Sequence, residues 1–175
     1  MADFTTSYNL VIGNEGGYVN DTDDPGGETY KGVARKMHPT WIGWHIVDLL
    51  KAQPGFPANL DANKELQIEV SSFYETKFWN RIAGELISEQ SVANSIFDFA
   101  VNTGCSVSAT LAQTVVGVKA DGIIGIKTAE AINQFNHEHF LAAFTVEKIK
   151  RYVEICQKRP ESRKYFFGWV IRAIK

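Results

Sequence analysis

The residues of this chain best equipped for chemistry lie near its start. Glu15 is followed by Gly16 and Gly17, Asp24 comes nine residues later in a turn crowded with other acids, and Thr29 comes five residues after that. Two carboxylates so placed suit glycoside hydrolysis. A glycosidic oxygen leaves poorly unless protonated, so one carboxyl must keep its proton near neutral pH. Burial, neighbouring negative charge and the C-terminal end of a helix all push a carboxyl in that direction. Glu15 stands where these effects combine, and Asp24, on a polar turn, has the wetter surroundings an ionised partner needs. Gly16, Gly17, Gly26 and Gly27 lack the Cβ that would hold a sugar chain off the backbone. The plain alternative is a Glu that merely ends and solvates a helix.

Those residues need elements to hold them. Residues 3–14 read as a helix, with Phe4, Tyr8, Val11 and Ile12 on one face, and glycine just after such a run stops it. Residues 18–33 are full of turn formers, with Tyr18-Val19 and Thr29-Tyr30 as β-prone flanks, which predicts a small hairpin or ordered loop. Residues 34–60 read as irregular, with a short helix at 45–52. The rest is helical. Leu66, Val70, Phe73, Tyr74 and Phe78 form one stripe, and Val92, Ile96, Phe99, Ala100 and Thr103 another. Leu111 and Val115 predict a short helix before Gly117, and Ile149, Tyr152, Val153 and Cys156 a long one after Asn136. A last helix starts near Pro160 and runs through Phe166, Phe167, Val170, Ile171 and Ile174. The fold class is mostly α, an α+β helical bundle with a small β-hairpin or loop after the first helix. Residues 1–90 form an N-terminal part with the Glu and the glycine-rich hairpin. Residues 91–175 form a helical part packed with it into one globular unit.

Composition excludes several other functions. Cys105 and Cys156 are distant in sequence and have no histidine nearby, so they read as two buried thiols or one disulfide. His38, His45, His137 and His139 form no zinc signature, and no nucleophile elbow or phosphate-cradling loop occurs. Asp21, Asp23 and Asp24 suggest a calcium loop, but an EF-hand started at Asp21 puts Pro25 at its fifth place and Gly32 where a Glu belongs. No metal and no cofactor is expected. The first ten residues carry no basic leader, and no apolar run reaches membrane-spanning length. This predicts synthesis in the cytoplasm, action on its target after release or non-classical export, and no stable membrane insertion. Charge is uneven: residues 147–175 hold nine Lys/Arg and three Glu, against nine Lys/Arg and seventeen Asp/Glu elsewhere. Such a basic end is either a solvated helix surface or a surface for a polyanion, wall polymer or nucleic acid.

Glu15-Gly16-Gly17-Tyr18 followed by Asp24-Pro25-Gly26-Gly27-Glu28-Thr29-Tyr30-Lys31-Gly32-Val33 resembles the opening pattern of glycoside hydrolase family 108. These are the phage-lysozyme-like N-acetylmuramidases also called secretion activator proteins. Phe97-Asp98-Phe99-Ala100-Val101-Asn102-Thr103-Gly104 is similar to the family's D-x-A-V-N-x-G stretch. Asp121-Gly122-Ile123-Ile124-Gly125-Ile126-Lys127-Thr128 is similar to the D-G-x-x-G-x-x-T of predicted peptidoglycan-binding segments. Together these cover roughly residues 8–175. The last motif has a structural alternative, a tight turn with Thr128 capping or bracing the helix that follows.

The resemblance implies a lysozyme-like α-rich fold, a peptidoglycan glycan strand as partner, and cleavage of the β-1,4 bond between N-acetylmuramic acid and N-acetylglucosamine with Glu15 as general acid. Asp24 then orients water or stabilises the cationic ring. A carboxyl separation of ~6.5–9.5 Å favours inversion and ~5–5.5 Å favours retention. Glu15, Asp24 and Thr29 follow the order of acid, Asp and Thr in phage lysozymes, although Thr29 falls one place early and Tyr30 takes its position. Tyr18 and Tyr30 are expected to stack on sugar faces, as are Trp41 and Trp44 unless they are core. Asn102 either holds an N-acetyl group or braces its loop. Two other readings remain open: a lytic transglycosylase using Glu15 alone, and a non-catalytic wall-binding or export-assisting protein. Nucleic-acid binding by the basic end is not expected, and a monomer is.

Overall fold

The computed structural model describes residues 1–13, 16–20 and 26–174. Glu15 and Asp24 lie outside the described residues. The chain forms two compact units, one of residues 8–77 and one of residues 1–7 with 78–175. The architecture is mostly α with one small antiparallel sheet, a lysozyme-like α-rich fold.

Helix α1 (Phe4–Ile12) has its first residues in the other unit and its last in the first unit, which continues with strands β1 (Tyr18–Asn20), β2 (Glu28–Tyr30) and β3 (Val33–Ala34), and then α2 (Gly43–Lys51), α3 (Asn59–Ala62) and α4 (Lys64–Tyr74). The sheet order is β1-β2-β3. Its first pair joins the two expected β-prone flanks in register, Tyr18 with Tyr30 and Val19 with Thr29. The second pair closes Tyr30 on Val33 through Lys31 and Gly32, with φ of +42° and +76°. Two positive φ values make the mirror-image turn whose twist matches its strands. Lys31 tolerates that backbone because it is held from three sides. Its Nζ donates to Gln67 Oε1 at 2.7 Å and sits 3.1 Å from Asp61, and its carbonyl accepts from the Tyr74 hydroxyl at 2.9 Å. Leu50, Leu60, Leu66, Val70 and Phe73 fill the core beneath the sheet and helices. Asn63 caps α4, its side-chain oxygen accepting from Leu66 N at 2.8 Å.

The α4 stripe does not continue to Phe78 as its spacing suggests. The helix widens into a π-helical turn over Glu75–Trp79, so the buried position falls on Trp79, 3% exposed, while Phe78 is only half-buried. Trp79 meets Phe4 and Phe97 at ring distances of 5.8 and 5.7 Å. A Cβ on Gly84 would come within 2.5 Å of the Trp79 ring, so only glycine fits beneath it.

The second unit is built on α5 (Gln90–Thr103), followed by α6 (Cys105–Val116), α7 (Ile126–Gln134), α8 (His137–Lys158) and α9 (Arg163–Ile174). Asn136 caps α8, accepting from His139 N at 2.9 Å. Phe140, Phe144, Tyr152 and Cys156 form its buried face, with Lys148 among them. The Lys148 ammonium lies 4.8 Å from the Phe144 ring centre and donates to Ser95 Oγ at 2.8 Å. Burial is the main cause that lowers its pKa to about 8. Arg172 of α9 pairs with Asp98 of α5 at 2.9 Å. Cys105 and Cys156 are both buried free thiols.

Helix α6 is longer than Leu111 and Val115 alone suggest. Its buried face is polar and small, made of Cys105, Ser108, Ala109, Ala112 and Gln113. Gln113, 1% exposed, organises the loop that follows. Its amide nitrogen donates to Asp121 Oδ1 at 2.8 Å and to Ile123 O at 3.0 Å, and lies 3.4 Å from Thr128 Oγ1. Its oxygen accepts from Gly122 N at 2.8 Å. Gly122 has φ +77°, and a Cβ there would strike Ser106. The D-G-x-x-G-x-x-T residues are therefore a structural knot. Thr128 lies inside α7 and is buried, so it neither caps that helix nor faces a ligand. Replacing Gln113 by Ala leaves several buried polar groups without partners, and denaturant unfolding should show a loss of at least about 2 kcal/mol. A loss near zero would show that water satisfies the knot equally well.

Candidate functional site

The described residues around the acidic segment belong to the first unit. Glu28 and Tyr30 share one face of β2, and Thr29 between them points to the other. Gly27 before them has φ +64°, and a Cβ there would lie 2.9 Å from the Lys36 side chain. The dihedral favours glycine at the second place of Gly26-Gly27, while the flexible end of Lys36 could move aside for a Cβ. Thr29 Oγ1 donates to Gly27 O at 3.2 Å and so is engaged with its own turn.

Glu28 is the electrostatic centre of this unit. Its side chain is 11% exposed and is paired with Arg35 at 2.7 Å and Lys51 at 2.5 Å. The Tyr18 hydroxyl lies near enough to the same carboxylate for each to shift the other's pKa. Arg35 continues to Asp48, which Lys51 also approaches at 3.3 Å. Burial pushes the Glu28 pKa up, but Lys51, Arg35 and Tyr18 outweigh it and hold the group below its ordinary value. The Arg35 hydrogen bond draws Asp48 down to about 2 against its own desolvation. Burial first, and then the Glu28 carboxylate, raise the Tyr18 hydroxyl. The Arg35 guanidinium also lies 5.0 Å over the Trp44 ring.

The expected sugar-facing residues divide as follows. Tyr18 is half-buried, its ring edge-on to Phe56 at 4.7 Å and the Lys51 ammonium 5.8 Å from its ring centre. Tyr30 is a correction. It is 1% exposed, and its hydroxyl donates to Asp61 at 3.0 Å and accepts from Gln67 Nε2 at 2.9 Å, so it is a core residue with no ring face for a ligand. Trp44 is core too, its indole nitrogen donating to His38 O at 2.9 Å. Trp41 packs edge-on against Trp44 at 5.3 Å and over Gly43, where a Cβ would meet its ring at 2.3 Å. Asn102, in the other unit, is exposed at the end of α5 and donates back to Asp98 O at 2.9 Å, bracing its own helix. Sequence reasoning missed the Glu28, Arg35, Asp48 and Lys51 cluster, because its members follow no periodic spacing. Among the described residues no group of side chains could hold a metal ion.

Glu28 and Asp48 both have folded-state pKa values below their ordinary ones. The stability they contribute is complete above the unfolded values and is lost as pH falls through the folded ones. Melting temperature should therefore drop between about pH 4.5 and pH 2, and Glu28→Gln should flatten the upper part of that drop. Parallel acid profiles for the two proteins would remove Glu28 from the explanation.

Two family models match successive parts of the chain, and their border falls between α5 and α6, not between the two compact units. The Glycosyl hydrolase 108 family matches residues 8–104. A family described as a Predicted Peptidoglycan domain matches residues 107–174. The structure of Brucella abortus SagA superposes with a TM-score of 0.62 at 24% identity, covering 98% of this chain and 93% of that one, which is a likeness of fold. No curated protein sequence matches. With its helical fold, its E-G-G-Y and D-P-G-G-E-T segments on either side of β1, and a peptidoglycan domain behind them, this peptidoglycan-acting chain belongs to the glycosyl hydrolase 108 family.

Proposed function

We propose that this protein is an N-acetylmuramidase, cleaving the β-1,4 bond between N-acetylmuramic acid and N-acetylglucosamine with Glu15 as general acid. The observation that carries this reading is the family match over residues 8–104, which includes both motif segments. The register of the hairpin supports it. Strand β1 pairs with β2 from Tyr18 with Tyr30 to Asn20 with Glu28; in sequence β1 starts just after Glu15-Gly16-Gly17, and Asp24 falls between the two strands. The two candidate carboxyls thus belong to one short stretch of chain, joined by the strand that the Glu28 cluster fastens.

In this mechanism Glu15 protonates the bridging oxygen as the bond to the anomeric carbon breaks. Water adds to that carbon, and its proton passes to a carboxylate, for which Asp24 is the candidate. Thr29, held by its hydroxyl on Gly27, keeps the turn in shape and is assigned no proton. Tyr18, half-buried against Phe56, is the described aromatic of this segment assigned to contact with a sugar.

Glu15→Gln keeps shape and removes the acid. On purified cell wall it should lower turnover by about 10²–10⁴-fold while the melting temperature stays unchanged. If mutant and wild type release muropeptides equally, the acid is not Glu15, and if neither releases any, the protein only binds. Mass spectrometry of products then separates hydrolysis, which adds water, from transglycosylation, which closes an anhydro ring and adds none. Asp24→Asn should cost less than Glu15→Gln if Asp24 acts only through its charge. A fully active Asp24→Asn enzyme excludes it from the mechanism.

A further inference from the structure

Helix α9 carries two apolar stripes, and packing within its own unit uses one of them. Ala173 is buried, and Phe166, Trp169 and Val170 are half-buried on the inner side. There Trp169 lies 5.3 Å from the Tyr152 ring of α8, and Thr145 Oγ1 donates to Ala173 O at 3.4 Å. The second stripe is Phe167, Ile171 and Ile174, at helical i, i+4 and i+7 spacing, and these residues are 77, 38 and 63% exposed. On α8, Val146 and Val153 are also exposed, and with Ile149 they line a shallow groove of about 400 Å³.

The chain that leads into this stripe is strongly basic. Lys158, Arg159, Arg163 and Lys164 are all exposed around the turn between α8 and α9. Among the described residues, no carboxylate comes within ion-pair distance of any of the four. An apolar stripe with unneutralised cations at the head of its helix and on the turn before it is the pattern of a helix that lies in a membrane interface. A glycan would ask for flat ring faces, and the stripe offers one aromatic and two branched aliphatics. No helix among the described residues is long and apolar enough to cross a bilayer.

We propose that α9 docks this protein on the surface of an anionic phospholipid bilayer. Phe167, Ile171 and Ile174 enter the boundary between headgroups and acyl chains. Lys158, Arg159, Arg163 and Lys164 face the lipid phosphates, whose field reaches about a Debye length from the surface. This contact is independent of Glu15 and places the protein beside a membrane whatever its turnover.

Flotation of the full chain with lipid vesicles tests it. The protein should float with phosphatidylcholine vesicles containing about a quarter phosphatidylglycerol, and stay behind with phosphatidylcholine alone or at high salt. The double variant F167S/I174S should lower partitioning at least about tenfold. R163E/K164E should remove the preference for phosphatidylglycerol. All four side chains are exposed, so circular dichroism and melting should match wild type. Failure of the wild type to float overturns the proposal, as does a stripe variant that floats equally well. If F167S/I174S instead loses binding to purified wall, or dissociates a dimer, with flotation unchanged, the stripe serves a glycan or a second copy and the membrane contact is wrong.

Discussion

A carboxylate with little of its surface left to water has lost most of its hydration, and unless partners replace that water it takes up a proton or opens its surroundings. Glu28 is in that position, and its partners come from separate places in the first unit. Tyr18 comes from β1, Arg35 from just after β3, and Lys51 from the end of α2. Satisfying one charge therefore ties the sheet to the helix and fixes which face of β2 looks inward. Tyr30 then enters the core on the same face, where Asp61 and Gln67 take its hydroxyl. An ion pair of this kind contributes little net stability, because desolvation offsets much of its attraction, and its effect here is on geometry.

The second unit reaches the same end with neutral groups. Gln113 has two donors and an acceptor to satisfy, and a loop of glycines and one Asp satisfies them. The apolar faces of α5 and α8 supply the burial, and Gln113 selects one arrangement of the loop between α6 and α7. Lys148 is the costlier case. Its ammonium has one hydrogen bond to Ser95 and otherwise aromatic faces, which compensate a buried cation only in part. The Asp98–Arg172 pair beside it joins α5 to α9, so the inner face of α9 is fixed and its other stripe is left outward.

Periodicity predicts which residues share a helix face, but it does not say which of two faces is covered. The stripe through Phe166, Phe167, Val170, Ile171 and Ile174 is legible in the sequence as one apolar helix. In the structure it divides into an inner set and an exposed one. The Leu66 to Tyr74 stripe is right as far as it goes. It fails at Phe78 because a π turn shifts the next buried place to Trp79, and only Gly84 leaves room for that ring. Helix α6 was underestimated because its buried face is made of small and polar side chains, which carry no hydropathic signal.

The sequence by itself determined the local grammar and the chemistry on offer. It marked the end of α1 before the glycines, the pairing of Tyr18-Val19 with Thr29-Tyr30, the start of α8 at Asn136, and Glu15 and Asp24 as the two carboxyls worth testing. All of these rest on neighbours within a few residues or on a motif read in order. Tertiary structure alone decided that Tyr30 is core, that Thr128 is knotted to Gln113, and that Glu28 shares its charge with Arg35 and Lys51. Those outcomes depend on which polar groups lose their water together. That is settled by partners distant along the chain, which no local pattern encodes.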